Sequence, residues 1–279
     1  MTLTVVVVYP ELLGTYGDGG NGVVLWQRAR WRGIEAELRH ARSDEPLPDG
    51  DVYCLGGGED GPQVEAADAL LADGGLGRAV AGGAAVLAVC AGYQIVGNSF
   101  PGAGGEEHRG VGLLDVTTEK GPGRRAVGEI LAEPLDPGLP FLTGFENHSG
   151  VSTLGVGARP LALVRVGTGN GTSDGGEGTA TTGNGKGKGD GIPVRGRRGV
   201  LTEGALSGRV VGTYLHGPVL ARNPALADLV LGWAVAHWAS RRGEEPPVLG
   251  LLDDAEEGAL RAERLAAVRG RRSRRSAVR

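Results

Sequence analysis

The sequence predicts an α/β fold: a mainly parallel sheet with helices on both faces and a nucleophile elbow at the tip of one strand. Three observations carry that prediction. Short apolar runs within Leu3 to Val8, Asp51 to Leu55 and Val86 to Val89 alternate with stretches of helical spacing, and continuous apolar strands mark a sheet buried on both sides. Gly56-Gly57-Gly58 follows the second run. Cys90 follows the third, with Ala88 and Gly92 two residues to either side, the small residues that a sharp strand-to-helix turn needs.

Taken in order, Leu3 to Val8 is a β-branched first strand, and Val23 to Arg32 has apolar residues at helical spacing until Gly33 closes it. Asp51 to Leu55 is the next strand; its glycine turn leads to a helix from Gln63 to Leu71. Val86 to Val89 then carries Cys90. Later strands are expected at Val111 to Val116, Arg125 to Leu131, Phe141 to His148 and Val210 to Tyr214. A helix from Asn223 to Ser240 closes the fold, with Asn223 as its cap and Pro224 at its first position. Ligands gather at the carboxyl ends of such strands, so the glycine turn and Cys90 share the functional edge.

Composition narrows the class. With 279 residues, 40% hydrophobic and 22% charged, the chain can bury one sizeable core. Cys54 and Cys90 lack the spacing of a disulfide framework or a metal site, which fits a reducing cytoplasm. Met1 to Pro10 has no basic n-region and reads as a strand rather than a signal peptide. Ala79 to Gly105 is free of charge, but its glycines and the elbow argue against a membrane span. Two segments lie apart from the core. Gly167 to Gly191 has 11 glycines in 25 residues and is expected to be a flexible insertion. Arg261 to Arg279 carries eight arginines against Glu263, net +7, which leaves −11 on the rest of a chain totalling −4. This tail is expected to be disordered and solvated, with attraction to nucleic acid or to an anionic membrane surface as the alternative. The division expected is an enzymatic domain over residues 1–240 and an extension over 241–279.

A cysteine nucleophile needs a general base, and there are five histidines to choose from. His216, in Thr213-Tyr214-Leu215-His216-Gly217-Pro218, stands at a strand end before a turn and is the best candidate. His237, beside Trp238 on an apolar helix, reads as packing. His148 reads as a loop-orienting residue, and His40 and His108 have no telling context.

In this order, Tyr9-Pro10-Glu11-Leu12, Thr15-Tyr16-Gly17-Asp18, Gly56-Gly57-Gly58, Cys90-Ala91-Gly92-Tyr93-Gln94, Gly144-Phe145-Glu146-Asn147-His148 and Tyr214-Leu215-His216-Gly217-Pro218 resemble the class I glutamine amidotransferases. The likeness is to the branch that contains the cobyric acid synthase glutaminase domains and, within it, the glutaminase subunits of lipid II isoglutaminyl synthases. It covers residues 1–235 outside the glycine-rich insertion. The resemblance implies a flavodoxin-like sheet and a cytoplasmic enzyme in which Cys90 attacks the side-chain amide of glutamine while His216 shuttles the proton.

It further implies an oxyanion hole from the amide of Ala91 and one in the glycine turn, Gly57 or Gly58. Arg125 falls where the family has an arginine for the glutamine carboxylate, with Arg124 one register step away. Many relatives place a glutamate two residues after the histidine; here Pro218 stands there. The resemblance favours an acid supplied by a partner, with Asp18 and Glu146 as in-chain alternatives. No Walker-type phosphate loop is present, Gly183 to Gly189 lacking the order it requires. ATP and Mg are therefore expected on a Mur-ligase-like (MurT-like) subunit, with no metal, cofactor or nucleic acid on this chain. Two rival readings remain: the glutaminase component of a cobyrinic or cobyric acid amidase, and a glutamine-binding subunit without catalysis. A free cysteine peptidase is the weakest, since the glutamine-type motifs would then be coincidental.

Overall fold

The computed structural model describes residues 2–172 and 201–276. The first half alternates strand and helix: β1 (Leu3–Val8), α1 (Gly20–Trp31), β2 (Ala36–Ala41), β3 (Val52–Leu55), α2 (Asp60–Asp73), α3 (Gly75–Ala81), β4 (Ala85–Val89) and α4 (Ala91–Ile95). The second half is richer in short strands: β5 (Ser99–Pro101), β6 (Glu107–Arg109), β7 (Val116–Lys120), β8 (Ala126–Pro134), β9 (Leu142–His148), β10 (Gly150–Leu154), β11 (Ala162–Val166), β12 (Thr202–Glu203), β13 (Ala205–Ser207) and β14 (Val210–Thr213). Helices α5 (Val219–Arg222), α6 (Pro224–Arg241) and α7 (Ala255–Ser276) complete the described chain.

The main sheet has six strands in the order β13-β14-β4-β3-β1-β2, parallel except for the antiparallel β13 edge. Every residue of β1, β3, β4 and β14 is buried, which requires cover on both faces. One group of helices, α1 with α6, packs on β1 and β3; another, α4 with α2, approaches β3, β4 and β14. Two four-stranded sheets, β10-β7-β5-β6 and β12-β11-β8-β9, bring β9 beside the end of β14, where Phe145 and His216 exchange backbone hydrogen bonds.

Four expectations are revised. Residues 111–115 do not form a strand: Gly112 adopts φ +75 and pairing starts at Val116. Asn223 precedes Pro224 as expected, but its side chain does not cap α6. It binds both backbone groups of Thr143 on β9, at 3.0 and 2.9 Å, and the carbonyl of Val219. The insertion lies outside the described residues from 173 onward, yet its first residues are built into the fold. Asn170 is buried and donates to the Gly204 carbonyl, and Thr168 and Gly169 donate their amides to Glu146.

The basic tail, expected to lack fixed structure, is helical as α7 over Ala255–Ser276. Its Ala, Leu, Glu and Arg content favours helix, Glu256 and Glu257 in the first turn complement the positive end of the helix dipole, and Asp253 accepts the amide of Ala255. A buried arginine fixes the segment before it. Arg28 on α1 makes forked contacts to Asp228 of α6 at 2.8 Å and to Asp254 at 2.6 and 3.0 Å, and Arg32 donates to Asp228 and to the Gly250 carbonyl.

Candidate active site

Cys90 joins β4 to α4 at φ +53 and ψ −106, a conformation that a side chain with Cβ adopts only under constraint. Its amide donates to the Thr213 carbonyl at 2.8 Å and its carbonyl accepts from Gln94 at 3.0 Å, so both neighbours hold the turn. A Cβ on Gly92 would lie 2.7 Å from Leu55 Cβ and 2.9 Å from the Leu55 carbonyl oxygen; the elbow closes against β3 only because that position is glycine. Cys90 is 8% exposed and lines a cleft.

His216 arrives from the end of β14. The carboxylate of Glu203, fully buried, accepts the Thr213 hydroxyl at 2.5 Å and the Tyr214 amide at 2.8 Å, and Thr213 Oγ1 in turn accepts the Leu215 amide. That ladder fixes the chain up to the residue before the imidazole. His216 Nδ1 donates to Asp18 Oδ2 at 2.8 Å. Its Nε2 is buried without a protein hydrogen-bond partner. Burial opposes the charge on this ring, but the Asp18 hydrogen bond and the nearby Cys90 sulfur outweigh it and push the imidazole pKa up to about 10.

Asp18 lies in the loop after β1, where Tyr9 and Tyr16 have φ of +46 and +65. It is 1% exposed and its Oδ2 also accepts the Gly57 amide at 3.0 Å. Two expectations change here. The acid of this chain that faces His216 is Asp18. Glu146 is elsewhere: its carboxylate takes the amides of Thr168 and Gly169 and lies 3.7 Å from His148. Gly57 is also removed as an oxyanion donor, because its amide is committed to Asp18. Its lack of a side chain has another use, since a Cβ there would sit 2.8 Å from His216 Cε1. Gly58 and Ala91 line the cleft with Cys90, and Ala91, as the first residue of α4, has an amide that the helix itself leaves without a partner.

The cleft walls are polar. Gln63, Gln94, Lys120, Arg125, Asn147 and Ser149 face it, whereas Arg124 lines a neighbouring depression. Arg125 is oriented by Asn147, with Nε donating to Oδ1 at 2.5 Å and Nη2 to the backbone oxygen at 3.0 Å. Beneath the cleft, Gln63 donates to Gln94, Gln94 to the Tyr214 hydroxyl, and Tyr214 shares a hydrogen bond with Ser152. His148 stacks on Tyr214 with ring centroids 3.7 Å apart and bonds the Gly150 oxygen through Nδ1. His237, read as packing, pairs with buried Asp51 at 2.9 Å. No group of three or more His, Cys, Asp or Glu side chains among the described residues could hold a metal ion, and no described helix is long and apolar enough to cross a membrane. Sequence reasoning assigned no role to Tyr16, Asn147 or Glu203. The first two stood inside quoted motifs; Glu203 gave no signal.

A strained cysteine at a strand end beside a buried histidine–aspartate pair, on a parallel α/β sheet, defines a thiol-dependent acyl-transfer enzyme. Residues 4–224 match the CobB/CobQ-like glutamine amidotransferase domain. The chain belongs to that family and is a glutamine amidotransferase. It is 29% identical over 232 residues, 82% of this chain and 83% of the relative, to the glutamine-hydrolysing lipid II isoglutaminyl synthase subunit GatD of Staphylococcus aureus strain N315. It is likewise 29% identical to the GatD subunit of Streptococcus pneumoniae strain R6, over 81% of this chain and 77% of the relative. A crystal structure of a glutamine amidotransferase superposes with a TM-score of 0.50 at 18% identity, covering 82% of this chain and 98% of that one, a likeness of fold.

Proposed function

We propose that this protein is the glutaminase subunit of a lipid II isoglutaminyl synthase. It hydrolyses glutamine and passes ammonia to a Mur-ligase-like, MurT-like subunit, which amidates the α-carboxylate of D-glutamate in the stem peptide of lipid II. The observation that carries the chemistry is the convergence of elbow Cys90 with the His216–Asp18 pair. The acceptor is supported by the likeness to two GatD subunits over four fifths of the chain.

In this reading Cys90 Sγ attacks the side-chain carbonyl carbon of glutamine, and His216 Nε2 carries the thiol proton to the departing nitrogen. Ammonia leaves and a glutamyl thioester remains on Cys90. Water, deprotonated by the same imidazole, then releases glutamate and restores the thiol. Asp18 keeps the Nδ1 proton in place, which leaves Nε2 as the working atom and steadies the imidazolium. The amides of Gly58 and Ala91 stabilise the oxyanion, and the Arg125 fork takes the α-carboxylate. ATP and Mg act on the partner, where the acceptor carboxylate is activated, and the complex works in the cytoplasm.

Purification of the tagged chain from its native background, with mass spectrometry of what accompanies it, tests the reading. A Mur-ligase-like protein should co-purify, and the pair with glutamine and ATP should amidate lipid II. A cobyrinate-amidating enzyme in its place, or a pair that leaves lipid II unamidated, overturns the assignment of acceptor.

A further inference from the structure

Tyr16 has no part in the chemistry described so far, yet it occupies a costly position. Its φ of +65 is one of three positive values at non-glycine residues among the described residues, the others being Tyr9 and the elbow Cys90. A bulky side chain there is strained and persists only where its surroundings hold it. Tyr16 is 43% exposed, so burial of its own surface does not explain the strain. Its centroid lies 4.8 Å from that of His216, with the planes tilted by 58°. Two residues on, Asp18 grips the same imidazole through Nδ1. One short loop thus meets His216 both at Nδ1 and, through the tilted Tyr16 ring, along the imidazole.

The hydroxyl of Tyr16 continues the contact. Asn147 Nδ2 donates to it at 2.5 Å, and Asn147 Oδ1 and its backbone oxygen are the two acceptors for the Arg125 fork. A chain of contacts therefore runs Arg125, Asn147, Tyr16, His216, from the cation in the cleft to the imidazole. A carboxylate arriving at Arg125 brings a full negative charge to a guanidinium whose Nε and Nη2 now donate to the uncharged oxygens of Asn147, and it competes with them for the fork. The pull on Asn147, and through it on Tyr16, then differs between the empty and the occupied cleft. We infer that Tyr16 and Asn147 are positioning residues that tie occupancy of Arg125 by a substrate carboxylate to the placement of the His216 imidazole. The inference rests on the roles of Cys90, His216 and Arg125 given above.

The test is a double-mutant cycle in the full-length chain, with release of glutamate from glutamine as the readout and wild type and Cys90→Ala run alongside. Tyr16→Phe keeps the ring and removes the hydroxyl. It should lower kcat by about 2- to 10-fold, the range for one neutral hydrogen bond, with KM changed less than about twofold. Asn147→Ala, which also frees Arg125, should lower kcat to a similar extent and raise KM as well. The double variant should have a kcat no lower than the lower single, because the two act as a unit.

Wild-type kcat in Tyr16→Phe, or losses that multiply in the double variant, would overturn the inference. A drop in thermal stability with unchanged kcat per alkylatable Cys90 would also overturn it, assigning Tyr16 to structure alone. Glutamine turnover by Cys90→Ala, or none by wild type, would instead remove the underlying reading of the site, and the inference with it.

Discussion

Asp18 Oδ2 and His216 Nδ1 are 2.8 Å apart although 198 residues separate them in sequence, and both side chains are buried. In the proposed mechanism this pair serves Cys90, with Pro218 standing where the resemblance leads one to expect an acid. Asp18 is a shared acceptor, bonding the Gly57 amide as well, so the histidine and the glycine turn are held by one carboxylate.

Asp18→Asn should cut glutamine hydrolysis by about 100-fold or more, because an amide neither fixes the Nδ1 proton nor balances the imidazolium. The His216 pKa should fall from its raised value, visible in the ring signals by NMR across a pH series. Glu146→Gln should leave catalysis near wild type while loosening the loop at Thr168 and Gly169. Equal losses in the two variants would contradict the assignment of Asp18.

Arg125→Ala should raise KM for glutamine by about tenfold or more, the worth of a hydrogen bond to a charged group, with kcat changed less. Arg124→Ala should leave KM within about twofold of wild type, since Arg124 lines the neighbouring depression. Steady-state kinetics of the two single variants decides between them, and a rise in KM confined to Arg124→Ala would exchange their roles.

Glu203 gives the protein a built-in dependence of stability on pH. Burial is the largest influence on its carboxyl and pushes the pKa up to about 7, against the partial relief of its bonds to Thr213 and Tyr214. The native state therefore holds a proton that the unfolded state releases near its ordinary value of 4.5. Stability from this group is fully present below that value, falls as pH rises through the window between the two, and is lost above about 7. The loss is on the order of 3 kcal/mol. Urea unfolding of wild type and Glu203→Gln at pH 5 and pH 8 should show wild type losing ground to the variant as pH rises; a constant difference would contradict this.

Much of the site was legible because it sits on the most strongly patterned strands. The apolar runs of β1, β3, β4 and β14 announced the sheet, and Cys90, between Ala88 and Gly92, announced the elbow. β2, reading Ala-Glu-Leu-Arg-His-Ala, escaped notice because an edge strand with one half-wet face carries no continuous apolar run. The three-residue strands β5, β6 and β13 are too short to show a period. That Asp18 rather than Glu146 faces His216 could not be read from sequence, because it depends on where the loop after β1 crosses the end of β14. The same holds for Gly57, whose amide is taken by Asp18 through the direction of the turn rather than through anything in its residue type. At the tail, net charge pointed to disorder, whereas helix propensity and the Arg28 clamp on Asp254 decided the outcome.

The most direct measurement is glutamine-dependent against ammonia-dependent amidation by the complex carrying Cys90→Ala. Cys90 is the nucleophile in the mechanism proposed above, and losing its sulfur changes little packing volume. The variant should therefore fold, release no glutamate from glutamine, and still support amidation when ammonia is supplied. Glutamine turnover at the wild-type rate in that variant would contradict the site proposed here.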